Sequence, residues 1–378
     1  MQKLAHKPDY VLVTLIGLVI VLGMVMLSSA SSVLGYTKFH DSYWYVKHQF
    51  LLGFLPGLVL FLFFSRTDYR LWKKIAPLLL WFSIGLLVLV FIPGLAAGYG
   101  TAKSWINVFG FSLQPSEIVK LTFLLYLAAW LEKRKEKVHD FAYGFLQFLV
   151  YLGLVAGLII IQPDVGTVSI LVLTSVVVFY AGGARLGHIM LVVTGAAAAL
   201  GALIAAAPYR LKRLTAFMNP EADPLGIGYH VKQALLAIGS GGWLGLGLGQ
   251  SKQKYQYLPE VAGDSIFAVI AEELGFVITT LFIILFLAIF YRMMKIAQRT
   301  PDTFGQLVVV GVGVWLLGQF FVNIGAMLGL MPLTGLPLPF VSYGGTAMMT
   351  LLAAVGIVVN ISCHTEERPV VKALKSFR

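Results

Sequence analysis

The chain has 378 residues, of which 58% are hydrophobic and only 12% charged, with a formal net charge of +11. A soluble globular protein carries roughly twice that charged fraction, so a water-soluble multidomain enzyme is excluded. The single cysteine, Cys363, rules out an internal disulfide and any paired-cysteine metal site, and the seven scattered histidines show no HExxH spacing.

Apolar runs near the ~20 residues that cross a bilayer recur along the whole sequence. They predict an all-α polytopic membrane protein with ten transmembrane helices. In chain order the expected spans are 10–30, 46–65, 75–94, 115–131, 142–162, 165–182, 186–207, 265–291, 305–328 and 343–362. The first follows Lys3, His6 and Lys7 and resembles a signal peptide. Its apolar stretch exceeds the roughly 7–15 residues of a signal core, so it reads as an uncleaved span.

An even number of spans puts both termini on one side. With the termini cytoplasmic, eighteen of the twenty-eight basic residues fall in inside segments. Nine lie outside, six of them in one long loop that counts little for orientation. The positive-inside rule therefore places both termini in the cytoplasm of a single membrane domain covering 1–378, with a cytoplasmic tail at about 363–378. The run EKRKEK (132–137) is then a solvated turn. The basic charge is topological and calls for no nucleic-acid partner.

Two outside loops stand out, 95–114 and the large extracytoplasmic loop 208–264 between the seventh and eighth spans. A loop as long as the second is uncommon without a function, and stretches such as ALLAI predict an ordered, partly re-entrant element. MPLTGLPLPFVSYGG (331–345) is short but rich in Pro and Gly. Backbone this irregular at membrane depth is tolerated only against protein or a wet cavity.

Ionisable groups within spans cost ~2.5–3.5 kcal/mol each on insertion scales and mark function by default. Glu117 and Lys120 are three residues apart and share a helix face. They read either as a neutralised pair fixing two helices or as groups that orient an anionic substrate. Asp164, in QPDVGT, reads as a helix cap or turn residue. Asp264 sits where the long loop re-enters the membrane, and from the residues alone it is either a helix cap or a catalytic base. If 264–275 is one helix, Glu272 lies about 12 Å deeper and about 80° around, flanking the same cavity, while Glu273 turns away to a neighbouring helix. Arg210, Lys212, Arg213, Lys232, Lys252 and Lys254 share the loop with Asp264. A carboxylate beside several cations at a membrane surface suits a phosphate-bearing lipid, the alternative being plain affinity for anionic headgroups. The glycines of GSGGWLGLGLG (239–249) follow no strand and form no dinucleotide fingerprint; they read as backbone packed close to protein or ligand.

SWINVFGFSLQPSEIVKL (104–121), QPDVGT (162–167), NPEADPLGIGYHVKQALLAIGSGG (219–242), GLGLGQSKQKYQYLPE (245–260), DSIFAVIAEELG (264–275) and GLPLPFVSYGG (335–345) together resemble the SEDS family (shape, elongation, division, sporulation) in order and over nearly the whole chain. GLGQSKQKYQYLPE looks more like the cell-division branch (FtsW) than the elongation branch (RodA). The resemblance implies ten transmembrane helices and a peptidoglycan glycosyltransferase of the bacterial cytoplasmic membrane, at the division septum, that polymerises lipid II. It also implies a class B penicillin-binding transpeptidase and other division or elongation proteins as partners. The family's catalytic aspartate falls on Asp264 and its buried pair on Glu117 and Lys120, and Ser342 lies in a matching loop motif. One departure is local: members usually carry Thr-Asp-Phe where this chain has Gly263-Asp264-Ser265.

For an α-linked glycosyl diphosphate donor and a β-1,4 product, inversion needs one base at the acceptor hydroxyl and positive charge at the leaving diphosphate. Asp264 is the expected base. The loop cations, Lys120 if the cavity reaches it, and a divalent cation (Mg or Mn) are the expected neutralisers, with no organic cofactor. A lipid II flippase and a noncatalytic division scaffold are the alternative readings.

Overall fold

The computed structural model describes residues 7–92, 96–99, 102–108, 111–206, 208–219 and 226–365. Helices stand at each of the ten expected places: α1 Tyr10–Phe39, α2 Trp44–Arg66, α3 Ala76–Leu89, α4 Pro115–Lys133, α5 Phe141–Ile161, α6 Val165–Ala181, α7 Leu186–Ala205, α10 Ile266–Arg299, α11 Thr303–Met327 and α12 Gly345–Ser362. Seven of these are long and apolar enough to cross a membrane. The chain is a polytopic helical membrane protein.

Local signals set several of the helix ends. Asp9, Asp164 and Asp302 cap α1, α6 and α11, accepting from Leu12, Thr167 and Gly305 N–H groups. Pro115 opens α4 at a position where a missing N–H costs nothing.

The arrangement inverts that of a soluble protein. α4 and α12 are buried over most of their length and carry the polar side chains Glu117, Lys120, Thr346, Thr350 and Asn360 inside the bundle. α7, by contrast, exposes Leu186, Met190, Leu191 and Val193. An outer helix bathed in hydrocarbon gains nothing by hiding such residues. Where α2 meets α12 the backbones come close. A Cβ on Gly356 would stand 2.7 Å from the Phe61 carbonyl oxygen, the small-residue contact that packs helices in lipid.

Two expectations need correction. The fold is not purely helical: the first outside loop forms an antiparallel sheet, β1 Ala96–Tyr99, β2 Ala102–Val108 and β3 Phe111–Leu113, in the order β1-β2-β3. Ile106 at its centre pairs with both Ala96 and Leu113. Nor does Asp264 lie on the helix that follows it, since α10 starts at Ile266 and breaks at Gly275 (φ 72°). The long loop is ordered where it is described, with two helices, α8 Pro208–Met218 and α9 Ile227–Ser240. Residues 241–265 then form turns against the broken turn of α10.

Candidate active site

A cavity of about 730 Å³ opens among α4, α6, α7, α8, the Pro/Gly-rich loop and the segment before α10. Its polar wall holds four carboxylates, Glu117, Asp164, Glu260 and Asp264, and one cation among the described side chains, Arg213. Asp264 Oδ1 is buried without a hydrogen-bond partner. Burial pushes the Asp264 carboxyl up to about 7, and the Glu260 carboxylate adds to the push. Its own and Ser265's backbone N–H groups, with Arg213, oppose the shift without reversing it. A carboxyl poised near neutrality suits proton transfer better than an ordinary aspartate.

The backbone under Asp264 is held from three sides. Asn323 Nδ2 on α11 donates to the Asp264 carbonyl and to the Leu336 carbonyl, both at 2.8 Å. Ser342 Oγ donates to the Gly263 carbonyl at 2.6 Å and accepts from Leu338 N at 2.8 Å. Tyr343 N donates to the Ala262 carbonyl at 2.8 Å. Ser342 does not line the cavity; it ties the Pro/Gly-rich loop to the chain just before Asp264. On the far side of that loop, Gln49 of α2 accepts from Gly344 N at 2.9 Å and donates to the Ser342 carbonyl at 3.3 Å.

Glu117 and Lys120 form a buried ion pair at 2.7 Å. Lys120 Nζ also donates to Gln319 Oε1 at 3.0 Å and sits 4.8 Å from the centroid of the Trp315 ring. Glu117 faces the cavity, while Lys120 lies behind it. Gln319 Nε2 donates to the Pro337 carbonyl at 2.8 Å, so the pair reaches the loop around Asp264 through α11. Asp164 is the expected cap, and it also accepts from Gln114 Nε2 at 3.1 Å at the cavity wall.

The remaining expected site residues lie elsewhere. Glu272 does not flank the Asp264 cavity, because the helix that would have aligned them begins after Asp264. It accepts instead from the Ser251 hydroxyl and the Lys252 backbone N–H (3.0 Å). Glu273 does meet a neighbouring helix, accepting from Ser29 Oγ of α1 at 2.7 Å, and it pairs with Lys254 at 2.9 Å. Lys254 is therefore neutralised inside the protein. Lys232 and Lys252 are exposed and do not line the cavity. The side chains of Arg210 and Lys212 lie outside the described residues. Of the six loop cations, Arg213 is the one that the described structure brings to the cavity.

Two contributors escaped the sequence reading. Trp315, Gln319 and Asn323 recur every four residues along an apolar span, a helical polar stripe that is itself a legible signal. His230 of α9 lies 2.6 Å from Ser265 Oγ through Nε2. Burial, with Arg213 beside it, holds this ring down to about 4, so it is neutral at neutral pH. Only the fold brings His230 to the serine that departs from the family pattern.

No group of three or more metal-ligating side chains exists among the described residues. The acidic wall of the cavity fits a divalent cation shared with phosphates of a bound molecule, since Mg needs only one or two protein carboxylates in such sites.

A family model described as cell cycle protein, covering FtsW, RodA and SpoVE, matches residues 9–367. The chain belongs to this family. Stage V sporulation protein E of Bacillus subtilis is 41% identical over 360 residues, which are 95% of this chain and 98% of that protein. The probable peptidoglycan glycosyltransferase FtsW of Trichlorobacter lovleyi is 40% identical over 375 residues, 98% of each chain. Among solved structures, a chain from a peptidoglycan synthase complex that coordinates polymerization and crosslinking superposes with a TM-score of 0.78. It is 26% identical and covers 94% of this chain and 97% of its own. The rod shape determining protein RodA of Thermus thermophilus gives 0.71 at 26% identity, covering 96% of this chain and 98% of its own. The FtsW/RodA/SpoVE membership bears out the resemblance carried by the sequence motifs.

Proposed function

We propose that this chain is a peptidoglycan glycosyltransferase that polymerises lipid II, with Asp264 as the general base. The observation that carries the reading is the Asp264 carboxyl in the wall of a 730 Å³ cavity, one oxygen unpartnered and its pKa near neutrality. The family relatives named as glycosyltransferases support the activity. The acceptor 4-hydroxyl attacks the anomeric carbon of the donor and the lipid diphosphate leaves from the opposite face. The hydroxyl proton passes to Asp264. Asn323 and Ser342 hold the aspartate's backbone in place during this transfer, and Arg213 offers positive charge to the leaving diphosphate. With Asp264 on the acceptor face, another carboxylate of the cavity wall together with the substrate phosphates would hold a Mg or Mn ion, which would neutralise charge on the leaving group. The Glu117–Lys120 pair shapes the inner wall.

All ten helices at the expected span positions cross the membrane, both termini are cytoplasmic, and the cavity opens to the outer face, where a class B penicillin-binding transpeptidase would receive the glycan at the septum. The match to a chain of a peptidoglycan synthase complex supports that partner.

Purified chain is to be given lipid II, with and without a transpeptidase partner, and its products resolved by gel electrophoresis. Glycan strands are expected from the native chain and none from Asp264→Ala. Strands from purified Asp264→Ala would overturn the assignment. Transport of labelled lipid II into vesicles without polymer would replace the reading with a flippase.

A further inference from the structure

The seam between α1 and α10 holds two cavities that the proposed reaction does not use. At the end of the bundle that carries both termini, a cavity of about 320 Å³ is bounded by Lys7, Asp9, Arg292, Lys295, Arg299 and Ser362, among others. Asp9 is engaged within the protein. It caps α1, accepts from Arg292 Nε at 2.8 Å, and its backbone N–H donates to Ser362 Oγ at 3.0 Å. Arg292 is thereby neutralised. Lys7, Lys295 and Arg299 have no ion pair among the described residues. Lys295 rests 4.3 Å from the centroid of the Tyr291 ring, which positions the ammonium without cancelling its charge.

The second cavity, about 350 Å³ and apolar, runs along the same helix pair, lined by Leu18, Leu22 and Met26 of α1 and by Ile278, Leu281 and Ala288 of α10, among others. Ala288 and Arg292 are one turn apart, about 6 Å along the helix axis, so the two cavities lie end to end. Cations without an ion pair among the described residues, with an apolar trough beginning about 10 Å from Lys295 along the same helix, match an amphiphile with an anionic head. Basic residues clustered only to set topology need neither the trough nor the Asp9–Arg292 clamp.

We propose that the α1–α10 seam binds one anionic phospholipid, its phosphate held by Lys7, Lys295 and Arg299 and an acyl chain lying in the trough. The assignment to the cytoplasmic leaflet rests on the orientation given under the proposed function; the site itself does not. The lipid is a resident of the membrane, distinct in place and chemistry from the substrate cavity at Asp264.

Native mass spectrometry of the full chain in detergent, titrated with dioleoyl phosphatidylglycerol or dioleoyl phosphatidylcholine, tests this directly. One phosphatidylglycerol is expected to stay bound per chain, and phosphatidylcholine to bind more weakly. Lys295→Ala with Arg299→Ala is expected to lower the phosphatidylglycerol affinity by about 30-fold, the loss of two interfacial cations. Lys133→Ala with Lys135→Ala, which removes equal charge from another turn, is expected to change it little. Ala288→Trp fills the trough and is expected to weaken binding with every cation intact. Gel filtration confirms that each variant is folded.

Equal affinity for the two lipids, or equal loss in both double variants, overturns the proposal. So does undiminished binding in Ala288→Trp, which would leave only headgroup adsorption. Phospholipid retained only after Glu366→Gln with Glu367→Gln would give the cations to the chain's own tail. Absent lipid binding together with loss of a copurifying transpeptidase in Ala288→Trp would give the trough to a protein helix. Lipid II polymerisation is read separately, so an active-site failure leaves this result standing.

Discussion

Asp264 illustrates a conflict between stability and chemistry within one side chain. Its folded pKa, about 7, lies above its ordinary value, so the native state binds the proton more tightly than the unfolded chain does. Stability from this group is therefore present at low pH and is lost as pH rises through about 7. Asp264→Asn is expected to melt at a higher temperature than the native chain at pH 8, by fluorescence-detected unfolding in detergent, while glycan synthesis falls by about 10²–10⁴-fold. For the native chain, kcat/KM is expected to rise with pH through about 7 as the base ionises, a limb that Asp264→Asn lacks. A flat profile would move the base elsewhere. Lys120→Met leaves Glu117 as a buried unpaired charge, a loss of about 3–5 kcal/mol. Adding Glu117→Gln is expected to restore part of that stability, and the double variant's polymerisation then separates a wall-building role from a substrate-orienting one. The sequence showed that Glu117 and Lys120 could pair, because three-residue spacing puts them on one helix face, and left open whether they pair or orient a substrate. It could not show that Gln319 takes the lysine's second bond, since that contact joins residues 199 positions apart.

At the scale of elements, the break in α10 decides where the acids go. Gly275 adopts φ 72°, and a Cβ there would collide with the Gly245 backbone. The turn 242–247 bonds into the gap: Leu246 N and Gly247 N donate to the carbonyls of Glu272 and Glu273 at 3.0 Å, and Phe276 N donates back to the Gly242 carbonyl at 2.9 Å. Gly275→Ala is expected to cost at least the ~1–3 kcal/mol of a strained backbone position, read as a lowered melting temperature with activity lost in parallel. The glycines of 239–249 were legible as backbone packed close to something, but their partner was not. A helix that starts at Asp264 is the simplest reading of DSIFAVIAEELG, and it wrongly aimed Glu272 at Asp264, since α10 begins only at Ile266. The break comes from a loop some thirty residues upstream in the chain, Gly245 against Gly275, which no local pattern reports. The first outside loop was likewise not legible as a sheet, because its strands are short and their pairing is settled by register.

At the scale of the molecule, the proposed orientation rests on where the cations fall. In a Cys363→Ser background, Tyr255→Cys is expected to react with a membrane-impermeant maleimide in intact cells, and Lys135→Cys only after permeabilisation. Both positions are exposed; labelling of the two from the same side would overturn the proposed topology. The places of the apolar helices and the membrane environment were determined by the sequence itself, because burial in lipid demands long apolar runs and every backbone group bonded within its own helix. Those constraints are local and leave their mark residue by residue. The cavity was decided only by tertiary structure. The raised pKa of Asp264, the absence of Lys232, Lys252 and Lys254 from the cavity wall, and the meeting of His230 with Ser265 all depend on which distant segments pack together. Packing across the bundle sets burial and hydrogen-bond partnership, and neither quantity has a period along the chain.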